Sequence, residues 1–276
     1  MSMNTNVNPF VQTLIQDMHF SEAATALWSG KPISVEGIAG SSCALAAAAL
    51  FQQGNGSMIL IAPNADSAEQ IAEDVILFLL PSAVWHLPSN NVLLFPPMEQ
   101  RGYESESASE SALAIADEAF GERVNVLKRL VNQREHRYIV VVSMPALLQS
   151  VPPPALLKER TQMLAVNSRV DLESLHRSLV EGGYHSTTAV ELPGEFALRE
   201  YILDLFAPDW DQPVRIEFSN DKIESIRRFD LTTQRSLEKI SEIDLTRLQP
   251  YECAGASLLD YFPSSTPIVL VEPAKT

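Results

Sequence analysis

The sequence predicts an α/β protein: a doubly wound parallel-sheet domain with an inserted small α+β domain containing an antiparallel β-meander. Three observations carry this. From Pro9 to about Ser143, short apolar runs alternate with longer helical segments, the pattern of parallel strands joined by helical crossovers. Between Leu192 and Asp230 apolar and polar residues alternate in successive short segments, as in strands with one packed and one wet face. Then Pro267-Ile-Val-Leu-Val-Glu272 returns as a continuous apolar run, the signature of a buried parallel strand, which is expected to rejoin the first sheet.

In chain order, Ile33-Ser-Val35, Met58-Ile-Leu-Ile-Ala62, Val92-Leu-Leu-Phe95 and Tyr138-Ile-Val-Val-Val-Ser143 are the strand candidates of the first part. Helices are expected at about 42–53, 65–80 and 109–131, the last opened by serines and acids that suit a helix N-terminus. The acidic run 104–111 ahead of it reads as a solvated loop, and Lys128-Arg129 reads as the usual basic bias at a helix C-terminus. Val151-Pro-Pro-Pro154 punctuates the chain, and a helix at 171–181 ends at Gly182-Gly183. In the meander, Val214, Ile216 and Phe218 alternate with Arg215 and Glu217. Residues 207–212, with Pro208 and two aspartates, supply one turn, and Ser219-Asn220-Asp221 supplies the next. The expected division is therefore 1–143 plus 240–276 for the first domain and 144–239 for the inserted one.

Composition narrows the function. The chain has 276 residues, 46% of them hydrophobic, enough for a substantial core. Lys plus Arg number 20 against 35 Asp plus Glu, a net charge of −15, so the average field repels a phosphate backbone. The arginines of the meander are the best candidate for a local basic patch, and they would recognise carboxylates. Cys43 and Cys253 are too few and too distant for a disulfide framework or zinc knuckle, which fits the cytoplasm, and the five histidines show no metal-ligand spacing. No apolar run is long enough for a membrane helix. Glu195 and Glu217 sit on arginine-rich strands, where ion pairing is their expected use.

Gly194-Glu195-Phe196, Arg199, Ile202-Leu203-Asp204, Arg215-Ile216-Glu217-Phe218, Ile226-Arg227, Phe229-Asp230 and Gln234-Arg235-Ser236 stand in register with a long pattern of one family. The chain resembles the second domain of the nucleotide excision repair protein UvrB and the UvrB-like front end of the bacterial transcription-repair coupling factors. Leu258-Leu-Asp-Tyr-Phe-Pro263 is close to the same family's approach to its second nucleotide-binding motif. The resemblance implies that the meander domain docks UvrA, the damage sensor, with Arg199, Arg215, Phe218 and Ser219 at contact positions. Glu200 and Tyr201 stand where the family has two glycines, and Ser219 where it has a second aromatic.

The resemblance also implies a RecA/helicase-like first domain, yet its chemistry is missing. Gly37-Ile-Ala-Gly-Ser-Ser-Cys-Ala44 occupies the turn where a motor domain places Gly-x-x-x-x-Gly-Lys-Ser/Thr. That loop needs backbone N–H groups around the phosphates, a lysine on their outer oxygens and a hydroxyl on magnesium. Gly37 and Gly40 are present, but Ser42, Cys43 and Ala44 take the last three places. Val271-Glu272 stands where the family has Asp-Glu, so the magnesium-linked aspartate is lost too. Cys43 has no histidine near it in sequence to make it a nucleophile, and small-residue packing accounts for the stretch.

Both losses together fit the coupling factors better than UvrB. The resemblance thus implies a non-catalytic module without a cofactor of its own. Its partners would be UvrA and the C-terminal domains of the full-length protein. RNA polymerase and DNA, and the ATP and magnesium of the motor, would belong to domains outside this chain. The competing readings are a divergent NTPase or helicase half and a stand-alone adaptor.

Overall fold

A computed structural model describes residues 7–80, 91–98, 118–132 and 136–271. In chain order the elements are α1 (Pro9–Gln16), α2 (Met18–Trp28), α3 (Ser41–Gln53), β1 (Met58–Ala62), α4 (Ala65–Leu79), β2 (Val92–Phe95), α5 (Glu118–Val131), β3 (Ile139–Ser143) and α6 (Met144–Leu147). They continue as α7 (Pro154–Arg160), β4 (Thr161–Ala165), α8 (Leu172–Glu181), β5 (His185–Ser186), β6 (Glu195–Arg199), β7 (Ile202–Phe206), β8 (Val214–Ser219), β9 (Lys222–Phe229), β10 (Ser236–Ile240), β11 (Glu242–Thr246) and β12 (Ile268–Leu270). Contacts divide the chain into two units, 1–97 with 132–149 and 262–276, and 98–131 with 150–261. The sequence places 144–149 with the inserted domain and 98–131 and 240–261 with the first; the contacts put each with the other unit. In the structure β11 pairs with β4 and Leu245 enters the core of the second unit, and that pairing draws 240–261 there.

The first unit is built on a parallel sheet in the order β12-β1-β3-β2. Every residue of β1 and β3 is buried, as the unbroken apolar runs require of central parallel strands. Alanine-rich α3 lets α1 and α4 approach closely, and Ala44 together with Ala46–Ala49 is buried. Side chains close the helix starts: Asn8 on α1, Asp17 on α2 and Asn64 on α4 each accept a backbone N–H of the first turn.

Two expectations for this unit need correction. Ile33-Ser-Val35 forms no strand; both edges of β1 are taken, by β3 and β12, and Val35 is exposed. β12 does rejoin the sheet in parallel, but as an edge strand, so Val269, with Val271 just beyond it, packs on the core while Ile268 and Leu270 are exposed. The expected start of the helix at 109–131 lies outside the described residues, which take it up at Glu118.

The second unit holds a six-stranded sheet, β10-β9-β8-β7-β6-β5, antiparallel except for the β5–β6 pair, and the two-stranded β11–β4. The meander is as the alternation predicts. Val214, Ile216 and Phe218 are buried in a core with Phe196, Leu203, Leu205, Ile223 and Ile226, roofed by Leu175 and Leu179 of α8. Two-residue turns join β6 to β7 and β8 to β9, with Glu200 at φ 49° and Asn220 at φ 56° in the left-handed region. Asparagine tolerates that region; glutamate does so at a cost of order 1 kcal/mol, which glycine would avoid.

Candidate functional site

Residues directly opposite in an antiparallel ladder share a face. The pairings Arg199–Ile202, Ile202–Glu217 and Glu217–Ser225, with Ala197–Asp204, Asp204–Arg215 and Arg215–Arg227, define one face of the meander. Arg199 and Arg215 therefore lie on the same side of the sheet, as a docking surface needs. The main core packs on the other side, and a smaller cluster of Val190, Ala197 and Phe206 covers one end of this face.

The face is more internally paired than its sequence suggests. Asp204 is buried and receives Arg215 in a two-pronged contact, Nε to Oδ1 at 2.6 Å and Nη2 to Oδ2 at 2.8 Å. Such charge-assisted forks fix geometry. The hydrogen bond to Asp204, ahead of the opposing effect of burial, raises the pKa of Arg215. Its guanidinium carbon also lies 4.9 Å above the centre of the Phe229 ring. Glu217 receives both Ser225 Oγ at 2.6 Å and Arg227 Nη2 at 3.1 Å. Among the described residues Glu195 has no ion-pair partner; its carboxylate caps the preceding turn by accepting the N–H groups of Glu191 and Leu192.

Arg199 differs. It stands exposed at the end of β6, held by a hydrogen bond from Nη2 to the carbonyl of Thr188, beside exposed Tyr201 and Ile202. Ser219 is exposed at the end of β8. Phe218 is turned the other way and is 5% exposed in the core, so of the four expected contact residues it alone is off this surface: the alternation that puts Arg215 outside puts Phe218 inside.

The glycine loop holds no charged cradle. Residues 34–40 are exposed, Gly37 and Gly40 have positive φ, and the Oγ of Ser42 is spent on the backbone N–H and carbonyl of Ala39. Ala44 is fully buried on α3. Burial raises the pKa of the Cys43 thiol, the opposite of what activates a nucleophile. The backbone of Val271 donates to Ile61, continuing the ladder beyond β12, and Glu272 lies outside the described residues.

One cluster escapes the sequence reading. Gly121, Asn125 and Lys128 lie on one stripe of α5 and face the turn 207–212. Lys128 is not a solvated C-terminal charge. Its Nζ is buried between Asp209 Oδ2 at 2.5 Å and Asp244 Oδ1 at 2.9 Å. Asn125 donates to the carbonyl of Asp209, and Trp210 Nε1 donates to that of Asp244. Burial raises the pKa of Asp209 although Lys128 opposes it. The available signal was spacing: Lys128 follows Val124 and Gly121 on the apolar stripe of the helix.

Residues 163–251 match the UvrB interaction domain family. The transcription-repair-coupling factor of Myxococcus xanthus is 31% identical over 226 residues, 82% of this chain and 18% of that protein. That of Bacillus subtilis (strain 168) is 30% identical over 237 residues, 85% of this chain and 19% of that protein. That of Haemophilus influenzae is 29% identical over 202 residues, 73% and 16% respectively. The matched interval defines the class: a chain that carries a UvrB interaction domain, with the meander inside it. Within that class the chain corresponds to the UvrB-like N-terminal region of the transcription-repair-coupling factors, proteins of DNA repair. It spans about a fifth of the length of the curated relatives it matches.

Proposed function

We propose that the chain is the non-catalytic module by which a transcription-repair coupling factor recruits UvrA to RNA polymerase stalled at a lesion. The observation that carries this is the polar, arginine-bearing face of the meander inside the interval that matches the UvrB interaction domain. Its anchor is Arg199, exposed beside Tyr201 and Ile202, an aromatic and aliphatic setting of the kind that surrounds an interface arginine. Arg215 adds a fork already oriented by Asp204, and Ser219 lies at the margin. In this reading the first unit is a helicase-like domain that has lost nucleotide chemistry. RNA polymerase, DNA, ATP and magnesium belong to other parts of a cytoplasmic protein, whose C-terminal domains cover the same face until activation. Among the described residues no helix is long and apolar enough to cross a membrane.

The test is affinity of the purified chain for UvrA. Arg199→Ala should weaken binding about tenfold, whereas Arg177→Ala, an exposed pair with Glu173 on α8, should leave it unchanged. Arg215→Ala is less clean, because it strips a buried aspartate of its partner; its affinity is compared only after its folding has been measured. If Arg199→Ala binds as tightly as the Arg177 control, UvrA does not use this face.

The nucleotide reading is tested separately. Purified protein should show neither saturable ATP binding nor magnesium-dependent hydrolysis, since the loop offers no lysine and buries an alanine where a magnesium-binding hydroxyl belongs. Hydrolysis that disappears on Gly40→Val would overturn it.

A further inference from the structure

A cavity of about 400 Å³ opens in the second unit beside the Lys128 cluster, away from the arginine face. Its apolar lining includes Trp210, Ile243 and Met163, and Met163 is 58% exposed. Its charge is unbalanced: Asp209, Asp211, Glu242 and Asp244 line it against Arg228, whose guanidinium is already paired with Glu238 at 3.3 Å. Lys128 restores one positive charge from beneath. Its Nζ contacts Asp209 Oδ2 and Asp244 Oδ1, which leaves a second acceptor free. Asp209 Oδ1 is buried with no hydrogen-bond partner among the described residues, on a side chain only 2% exposed. A buried carboxylate oxygen without a donor keeps its desolvation penalty uncompensated, and its negative field acts on the cavity beside it.

We propose that this cavity binds a basic side chain of a partner peptide, an arginine or lysine between apolar residues, with its cationic head among the exposed carboxylates of Asp211 and Glu242, in the field of buried Asp209, and its stem along Trp210 and Met163. The chemistry selects that occupant. A carboxylate or phosphate would meet four acidic side chains at close range. A purely apolar residue would seal the carboxylates of Asp211 and Glu242 away from water without a donor. A long cationic side chain carries an apolar stem and a donor-rich head in the right order. The site lies at the β4–β11 end of the unit and shares no residue with the face assigned above to UvrA, so it would serve a second contact.

Two capped tripeptides that differ in charge, acetyl-Leu-Arg-Leu-amide and acetyl-Leu-Gln-Leu-amide, are titrated into the isotopically labelled full chain. The indole N–H resonance of Trp210 is the local reporter, because that group donates to Asp244 in the cavity wall. The arginine peptide should shift it saturably below about 10 mM and the glutamine peptide should not. Asp209→Asn risks unfolding the unit, so Glu242→Gln and Asp211→Asn, both exposed, are combined; together they should weaken the arginine peptide about fivefold. The proposal fails if both peptides shift Trp210 alike, if neither does, if the paired substitutions leave affinity unchanged, or if the shifts fall on Arg199 and its neighbours instead.

Discussion

Gly121→Ala is expected to destabilise the second unit by about 3 kcal/mol, although the same change in most helices stabilises. The two effects can be weighed. Alanine is favoured over glycine in a helix interior by about 1 kcal/mol, and Gly121 is the fourth residue of α5. Against this, a Cβ at position 121 would lie 2.0 Å from the carbonyl oxygen of Pro208 and 2.7 Å from its carbonyl carbon. Those are backbone atoms of a turn fixed by Asn125 and Lys128 one and two helical turns further along. They cannot swing aside as the end of a side chain would, so α5 must lift and its contacts with Asp209 lengthen together. A single melting midpoint would blend the two units. The measurement is therefore hydrogen exchange at Leu205 and Ile216, amides of the central meander strands, in urea below the transition. Protection equal to or above that of the parent would show that the turn yields at little cost.

How much of this was legible beforehand differs by element. The meander announced itself because alternation has a unique physical meaning: Val214, Ile216 and Phe218 on one face force Arg215 and Glu217 onto the other. The parallel order of β1, β3 and β12 was similarly readable from unbroken apolar runs. Such runs do not say which strand lies at an edge, so the run 267–272 predicts a buried strand where the structure has an edge one. The arginine positions were legible; their partners were not. Asp204 and Arg215 are eleven residues apart, and only the β7–β8 register brings the carboxylate to the guanidinium. Lys128, Asp209 and Asp244 are further apart still, separated by 81 and 116 residues along the chain at their hydrogen bonds. Local patterning leaves Asp209 and Asp244 in solvent, where isolated charges usually lie, and only tertiary packing gathers them around Lys128.

The same cluster yields the other large effect. Lys128→Met keeps the length and apolar stem of the side chain but removes the ammonium, leaving Asp209 buried opposite a thioether. Removing one partner of a buried ion pair costs about 3 kcal/mol at neutral pH, because the remaining charge keeps its desolvation penalty without its compensation. The pH dependence separates this from a simple packing defect. Burial is the main cause that raises the pKa of Asp209 above its ordinary value of 3.8, and the charge and hydrogen bond of Lys128 are what hold the rise in check. Without Lys128 the folded-state pKa climbs further. A carboxyl whose pKa is higher folded than unfolded binds its proton more tightly in the folded state. Stability is therefore gained as pH falls through the folded value toward the unfolded one, and lost as pH rises. The variant should accordingly recover part of its deficit against the parent on acidification from pH 7 to about pH 5. Asp244 also loses a partner but is partly exposed, so solvent screens most of its share. Urea unfolding of parent and variant across that range, followed by exchange at the same meander amides, gives the difference directly. A deficit that stays constant with pH would mean that Lys128 acts through packing alone and that Asp209 is not the group left stranded.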